Sequence, residues 1–313
     1  IVASASVLLP DLAAMKRCTQ LLQLRASTEL ADGQSARALD DIRLLLRLND
    51  SLRSSPFLIT QLVRIAMVEI SVQPIWEGLA EHKWSDEQLM ALDEELAKLD
   101  FLADYEFSMR GERAFAIATL ESMRRNNEMI SPTDSGYVTN KLLSLMPSAF
   151  YYQNELAIAR MQQQWILPLV DTNSRTVSPE AMRHVETAVG AEMKHYSPYK
   201  VLAVMEIPAL ETAARKFAII QTDVNLARVA IALERYRLAH GKYPDSLDAL
   251  APQFIEKLPH DIIGGQPLHY RRTDDGKFVL YSVGWDEKDD GGTVRLKKNG
   301  SVDLETGDWV WKY

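Results

Sequence analysis

The chain has 313 residues, of which 47% are apolar and 25% are charged, as in ordinary globular proteins. Its formal net charge of −8 repels phosphate backbones, and no run of Lys or Arg provides a basic face, so nucleic acid is excluded as a partner. The length exceeds that of one typical hydrophobic core and predicts two domains. Cys18 is the only cysteine, which excludes an intrachain disulfide bond and a zinc site made of several thiolates.

Helical spacing of apolar residues dominates the chain from residue 8 to about residue 125. Gly33 can end a helix, Pro56 fits the start of one, and Ser85 with Gln88 matches a capping box. These three breaks predict four helices, and no alternating strand pattern interrupts them.

The segment 26–52 resembles the turn and second helix of a tetratricopeptide hairpin, because a small helical pair joined by glycine has that pattern. A tetratricopeptide array needs several copies at a period of about 34 residues, and no second copy is found. We therefore predict an irregular helical domain, and a tetratricopeptide-like peptide-binding adaptor stays open as an alternative.

Two segments bear on contact with a membrane. The apolar run 57–76 contains Arg64 and Glu69, which a bilayer would bury at considerable cost, so we expect this run to be a helix of the bundle. The opening residues 1–10 resemble the small-residue tail that follows a removed leader or an anchor. We expect a protein of the cell envelope or periplasm, whose membrane contact is limited to an anchor upstream of residue 1.

The middle of the chain is predicted to return to helix after one loop. Residues 127–140 combine Pro, Asp, Ser and Gly and are predicted to form a loop that could act as a hinge. Two helices are predicted at 148–168 and 178–195. The most regular pattern runs through 210–231 with apolar spacings of 3 and 4, and Gly241 can terminate that helix.

After the long helix the pattern becomes that of a small antiparallel sheet. Strand-like runs at 267–272 and 277–283 flank a TDDG turn, which predicts a hairpin. A second hairpin is predicted at 293–304 through an Asn-Gly pair, and 308–313 has the composition of a last strand.

The order of these pieces resembles the globular part of the major pseudopilins of type II secretion systems. The resemblance rests on ALERYRLAHGKYPDSLDAL, LPHDIIGGQPLHYRRT, FVLYSVGWDEKDDGG and GDWVW, at 232–250, 258–273, 278–292 and 307–311. It implies that residues 201–313 form a pseudopilin-like domain, a long helix packed on a small antiparallel sheet. Together with the irregular multi-helix domain predicted at 1–200, this gives an expected fold class of α+β, mainly α. Pseudopilins instead begin with a hydrophobic helix used in fibre assembly, so a fibre-forming function is not carried over.

The acidic loop within YSVGWDEKDDGG is the candidate ion site. The resemblance implies a calcium ion held by main-chain carbonyls and aspartates, which correspond here to Asp286, Asp290 and Asp308, and Ser282 is included in the predicted ligand set. Hard oxygen ligands in a tight loop with two glycines suit calcium, although the acids miss the spacing of an EF-hand. A solvated acidic turn without an ion stays open as the alternative.

No complete catalytic set is found in the sequence. Ser197 and Lys200 match the Ser-x-x-Lys spacing of penicillin-binding enzymes, but the accompanying motifs are missing. Glu192 and His195 share a helix face, although a di-iron bundle needs a second such pair. Arg110 could bind a substrate carboxylate, but a salt bridge on the helix face explains it with fewer assumptions.

We therefore expect a noncatalytic cell-envelope protein. Its helical module would bind a protein partner, and a calcium-stabilised pseudopilin-like domain would follow, with a role in secretion implied by the resemblance. The alternative is a hydrolase whose site lies in a cleft between the helical domain and the sheet, where acids, a perturbed lysine or Arg110 would converge.

Overall fold

The computed structural model of the chain describes residues 10–126, 146–195 and 197–312. The predicted loop at 127–140 and the opening residues 1–9 lie outside these ranges. The described helices are α1 (Pro10–Ala31), α2 (Ser35–Asp50), α3 (Leu58–Ala80), α4 (Asp86–Leu96), α5 (Phe101–Asn126), α6 (Ser148–Met161), α7 (Pro179–Lys194) and α8 (Val201–His240). The structure is 64% helical with small antiparallel sheets, which confirms the predicted α+β, mainly α, class.

Short elements complete the described chain. A π-helical turn (Gln162–Ile166) and a 3-10 turn (Leu167–Leu169) lead from α6 into the two-stranded hairpin of β1 (Val170–Asp171) and β2 (Thr176–Val177). After α8 come a 3-10 turn (Leu247–Leu250) and the strands β3 (His269–Arg272), β4 (Phe278–Ser282), β5 (Val294–Leu296), β6 (Val302–Gly307) and β7 (Trp309–Lys312).

The first part of the chain forms five described helices where four were predicted. The breaks at Gly33, whose φ is +74°, and at the Ser85 and Gln88 capping box are confirmed. The additional break separates α4 from α5. It is capped by Asp100, whose Oδ1 accepts the backbone N–H of Ala103 at 3.1 Å. No Gly or Pro lies in this turn, and the helical spacing of apolar residues continues through it. The sequence therefore gives no local signal for this break.

Helix α3 contains a buried cation. By length and composition α3 is apolar enough to cross a bilayer, but this is weak evidence, since 61% of its most apolar window is buried inside the protein. Arg64 is 1% exposed, and its guanidinium donates to Asp104 on α5 at 2.7 Å and to the backbone oxygen of Asn49 on α2 at 3.2 Å. The charge is therefore paired within the helical array.

Helix α8 is the central element of the fold. It runs for 40 residues and ends at Gly241, whose φ is +76°, as the sequence predicts. It packs against α3, α4, α5 and α6 and also against β4 and β7. One hydrophobic core extends from Ala26 to Trp311 along this helix. The predicted domain boundary between residues 200 and 201 coincides with the start of α8, and the core continues across it.

The main sheet has three antiparallel strands in the order β3-β4-β7. Leu280 in the central strand pairs with Tyr270 on one side and Trp311 on the other, and all five residues of β4 are buried. Strands β5 and β6 form a separate antiparallel pair. Both predicted hairpins and the predicted last strand are confirmed.

Candidate functional site

The acidic loop between β4 and β5 is organised around Asp308. Asp308 is 3% exposed. Its Oδ1 accepts the backbone N–H of Asp290 at 3.3 Å, and its Oδ2 accepts those of Gly292 and Thr293 at 2.7 and 3.0 Å. Gly292 has a φ of +78°, and a Cβ at this position would lie 2.6 Å from the side chain of Val279. The second glycine of the pair is thus required for the backbone to wrap around the Asp308 carboxylate.

The remaining predicted aspartates also have hydrogen-bond donors beside them. Asp286 Oδ1 accepts the backbone N–H of Lys288 at 3.2 Å, and its Oδ2 accepts that of Gly307 at 3.4 Å. Asp290 Oδ2 accepts two N–H groups of the Arg295 guanidinium, both at 3.1 Å. Each carboxylate is therefore stabilised by donors within its own loop or in the adjoining strands β5 and β6.

Two further acids of the loop also have hydrogen-bond or ion-pair partners. Asp289 Oδ1 accepts the backbone N–H of Gly291 and the hydroxyl of Tyr281, each at 2.9 Å, and these two bonds lower the pKa of Asp289. Glu287 forms an ion pair at 2.6 Å with Arg183 of α7. The mutual repulsion of the acids is offset by local donors and cations, and a bound ion is not needed for this purpose.

Ser282 belongs to a different cluster. Its hydroxyl is fully buried, donates to Asp261 Oδ1 at 2.8 Å and accepts the backbone N–H of Gly284 at 3.2 Å. Asp261 Oδ2 also accepts the backbone N–H of Val283 at 3.0 Å. Burial raises the pKa of Asp261 and outweighs these hydrogen bonds. This cluster fastens the end of β4 to the segment before the sheet.

The structure therefore brings Asp286, Asp290 and Asp308 into one loop network and leaves the hydroxyl of Ser282 outside it. In the described part of the chain, no group of three His, Cys, Asp or Glu side chains is placed to hold a metal ion. The residue types suit calcium, but their oxygens face N–H donors. An ion would share these carboxylate oxygens with the N–H donors or displace some of the donors.

A second polar region is a cleft of about 350 Å³ between the helical array and the segment that leads into the sheet. The turn between α4 and α5, the turn between β1 and β2, one face of α8 and residues 256–262 line it. The buried side chains of Leu96, Leu99, Val224 and Ile262 form the apolar part of the lining. This volume is at the lower end of the range of about 300–1,000 Å³ typical of ligand pockets.

An ion pair forms one wall of the cleft. Arg175 donates to Asp100 at 2.7 Å. Burial acts to raise the pKa of Asp100, but the Arg175 guanidinium and the first N–H groups of α5 prevail and lower it. Arg175 has a φ of +55°, which non-glycine residues rarely adopt, and its carbonyl accepts a hydrogen bond from Nε2 of His260 at 3.1 Å. These contacts fix the wall.

Helix α8 supplies the opposite wall through polar residues at i, i+4 and i+7. Gln221 is 1% exposed, and its amide bridges the backbone N–H of Phe101 and the side chain of Asn225. Arg228 donates to Asp93 on α4 at 2.7 Å. The helical period places all three side chains on one face of α8.

The cleft presents two carboxylates, Asp100 and Glu256, and the ammonium group of Lys257 beside its amide and guanidinium groups. Its lining contains no Ser, Thr, Cys or Tyr among the described residues, so no hydroxyl or thiol nucleophile is present there. The only lining histidine, His260, bonds to a main-chain carbonyl, whereas a nucleophile-activating histidine is oriented by a carboxylate or amide side chain.

The other sequence candidates have structural roles. Lys200 forms an ion pair with Glu192, and Ser197 Oγ accepts the backbone N–H of Tyr199 at 3.4 Å, so Ser197 and Lys200 share no hydrogen bond in the described chain. Arg110 pairs with Glu106 one turn earlier on α5, as predicted for a helix-face salt bridge.

A cleft between the helical domain and the sheet is predicted from the sequence for the hydrolase alternative, but Arg110 does not line the observed cleft, and none of the residues that do was identified. The sequence feature that could have indicated this lining is the polar stripe of Gln221, Asn225 and Arg228. It lies in a part of α8 that is otherwise largely apolar. Periodicity identifies such a stripe, but the return of residues 256–262 over it depends on the path of the chain after α8.

Comparison with protein-family models, with curated proteins and with solved structures gives no match for this chain.

Proposed function

We propose that the chain is a noncatalytic binding protein of the cell envelope, in which the helical array and α8 form a rigid support and the cleft takes an extended segment of a protein partner. The cell-envelope location and a role in secretion rest on the resemblance of the last hundred or so residues to major pseudopilins. The binding role rests on the cleft.

The main support for this proposal is a preorganised polar lining without a hydroxyl or thiol nucleophile. Ion pairs fix Arg175 and Arg228 in place, and Gln221 is fixed by a backbone N–H. Side chains held in this way lose little conformational freedom when a ligand binds. A peptide adaptor of the tetratricopeptide type would use a concave helical groove instead, whereas this cleft includes the non-helical segment 256–262.

Calcium binding at the acidic loop is a separate part of the proposal. Asp286, Asp290 and Asp308 would supply carboxylate oxygens, and the resemblance is the reason to test them. Because N–H donors already use part of the acceptor capacity of these carboxylates, we expect weak binding, on the order of 1 mM, as in extracellular calcium modules.

The binding role can be tested by blocking the cleft. Ala97 is exposed, lines the cleft and follows the last residue of α4, so Ala97→Trp adds a large side chain without replacing a core residue. Ala114→Trp at an exposed position of α5 outside the cleft lining is the matched control. Immobilised full chain is incubated with a pool of random hexapeptides, and bound peptides are measured by mass spectrometry.

We expect peptide enrichment by the wild type and by Ala114→Trp, and loss of enrichment in Ala97→Trp. Absence of enrichment by the wild type, or equal enrichment by Ala97→Trp, contradicts the proposal. The same proteins are assayed with fluorogenic ester, peptide and glycoside substrates. Turnover that disappears in Ala97→Trp would replace the binding role with the hydrolase alternative.

A further inference from the structure

The hydrogen bonds of Gln221 determine what the cleft presents to a ligand. The backbone N–H of Phe101 can only donate, so the atom of Gln221 facing it at 2.8 Å is Oε1. Gln221 Nε2 then donates to Oδ1 of Asn225 at 3.0 Å. These two hydrogen bonds determine which atom of each side-chain amide is the oxygen and which is the nitrogen.

As a consequence, Asn225 offers two unused donors. Its Nδ2 group has no hydrogen-bond partner among the described residues, although Asn225 is 8% exposed and lines the cleft. Asn225 Nδ2 is not among the buried polar atoms that lack a partner, so it reaches the open cleft, where water or a ligand can accept its N–H groups. An acceptor group of a ligand can therefore bind at this position.

Neighbouring cations add to this donor set. Asp93 engages Nε of Arg228 at 2.7 Å and Nη2 at 3.5 Å, which leaves Nη1 without a partner in the described chain. Lys257 lines the cleft from the segment before the sheet, is exposed, and forms no ion pair with any described residue. Of the three lining cations, Arg175 and Arg228 are paired with Asp100 and Asp93, so Lys257 and one nitrogen of Arg228 join the amide of Asn225 as donors open to a ligand.

Acceptors are scarcer in the lining. Asp100 already accepts N–H groups from Arg175 and Ala103. Glu256 is the one lining carboxylate without a described partner, and its charge disfavours ligands with more than one negative charge. The lining thus offers more free donors than free acceptors and carries one unpaired negative charge, at Glu256. This combination suits a ligand with a single carboxylate group, which accepts up to four hydrogen bonds.

We propose that the cleft recognises a carboxylate, namely the C-terminal carboxylate of a peptide, through Asn225 Nδ2, Arg228 and Lys257. This inference rests on the proposed binding function and names the chemical group that the cleft selects. A free organic acid presents the same group, and the experiment distinguishes the two sources.

The test uses Asn225→Asp in the full chain. This change is isosteric and keeps an oxygen for Gln221 Nε2, but it replaces the free donor with an acceptor and adds a negative charge. Asn299→Asp in the exposed β5-β6 turn makes the same chemical change away from the cleft. The probes are fluorescent random hexapeptide pools with a free or an amidated C terminus, with acetate, succinate and inorganic phosphate as competitors, and the readout is fluorescence polarisation.

We expect the free-acid pool to bind at least about tenfold more tightly than the amidated pool, Asn225→Asp to weaken binding of the free-acid pool at least about tenfold, and Asn299→Asp to bind like the wild type. If acetate competes at concentrations similar to the dissociation constant of the peptide pool, the cleft recognises a carboxylate, but the ligand is a free organic acid and not a peptide C terminus. Stronger competition by phosphate would overturn it.

Two results separate this inference from the proposed function. If both pools bind equally and Ala97→Trp abolishes that binding, the cleft binds peptides but the carboxylate inference is wrong. If neither pool binds the wild type, the binding function itself is wrong and the inference falls with it.

Discussion

In the acidic loop the carboxylate of Asp308 accepts three backbone N–H groups, whereas in the cleft the amide of Asn225 keeps two N–H groups without an acceptor in the described chain. The loop has the denser charge, and its acids all have partners. The cleft has fewer charges and an excess of donors. A binding site is therefore indicated by hydrogen-bonding capacity that is left over after folding, and the number of acids along the sequence does not measure this capacity.

The largest effect is expected from breaking the bridge that organises the cleft. Gln221→Leu would leave the buried N–H of Phe101 and Oδ1 of Asn225 without partners, at about 1–3 kcal/mol each. We expect the free energy of unfolding to fall by about 3 kcal/mol, measured by urea denaturation. Gln20→Leu at an exposed position of α1 should change it by less than about 0.5 kcal/mol. A loss below about 1 kcal/mol would show that the bridge does not organise this wall.

The second prediction tests whether the loop acids are satisfied by their N–H donors. In Asp308→Asn, the new NH2 group would face at least one backbone N–H that now donates to the carboxylate. We expect a loss of about 2 kcal/mol, because hydrogen bonds to charged groups contribute about 1.5–3 kcal/mol. Asp274→Asn, in the exposed turn between β3 and β4, is the control and should be nearly neutral. Equal effects of the two changes would contradict the role given to Asp308.

The same distinction explains how far the sequence could lead. Local chemistry marks the elements: Gly33 and Gly241 end helices, Ser85 and Gln88 cap one, and the Asn-Gly pair closes a hairpin, so each was predictable. The fifth helix was missed because Asp100 caps it without Gly or Pro nearby. The acids of the loop were visible in the sequence, but their N–H donors were not, because the donors come from backbone groups whose directions depend on the turn.

The residues that line the cleft could not be identified from the sequence for a related reason. Asn225 becomes informative only through the orientation of Gln221, which depends on a contact with Phe101, 120 residues earlier in the chain. Such a distant contact has no local signal in the sequence. The polar stripe on α8 could have been flagged, but its covering segment could not.

An acid pair in the helical array differs from the acids of the loop, because its carboxylates have few donors. Glu206 accepts one hydrogen bond, from Gln162 at 3.0 Å, and Glu112 accepts the backbone N–H of Leu58 at 3.3 Å. Burial, followed by the negative charge of Glu112, raises the pKa of Glu206 to about 7. The folded state therefore holds a proton that the unfolded state releases above its ordinary pKa of 4.5. Stability from this group is full below that pKa and declines as the pH rises to about 7.

Glu206→Gln should remove this decline. Because Glu206 is partly exposed, we expect the variant to gain only about 1 kcal/mol over the wild type at pH 8 and nothing below pH 4.5, measured by urea denaturation across the pH range. Asp289→Asn is the control of opposite sign, since the lowered pKa of Asp289 means that its contribution is lost only as the pH falls through the acid range. A pH profile of Glu206→Gln identical to that of the wild type would contradict this account.

The smallest effect is expected from calcium. It decides whether the carboxylates of the acidic loop can bind a cation in addition to their N–H donors. With a dissociation constant on the order of 1 mM, about 2 mM calcium would stabilise the folded state by about 0.6 kcal/mol. We expect Tm to rise by about 1 °C in a calorimetric scan, a chelator to reverse the rise, and magnesium to have less effect because it demands stricter geometry. The comparison should be made in the wild type and in Asp286→Asn, because Asp286 has the longer and weaker N–H contacts and would turn most easily toward an ion. If Tm does not change, or changes equally in both proteins, the N–H donors alone account for the acids of this loop.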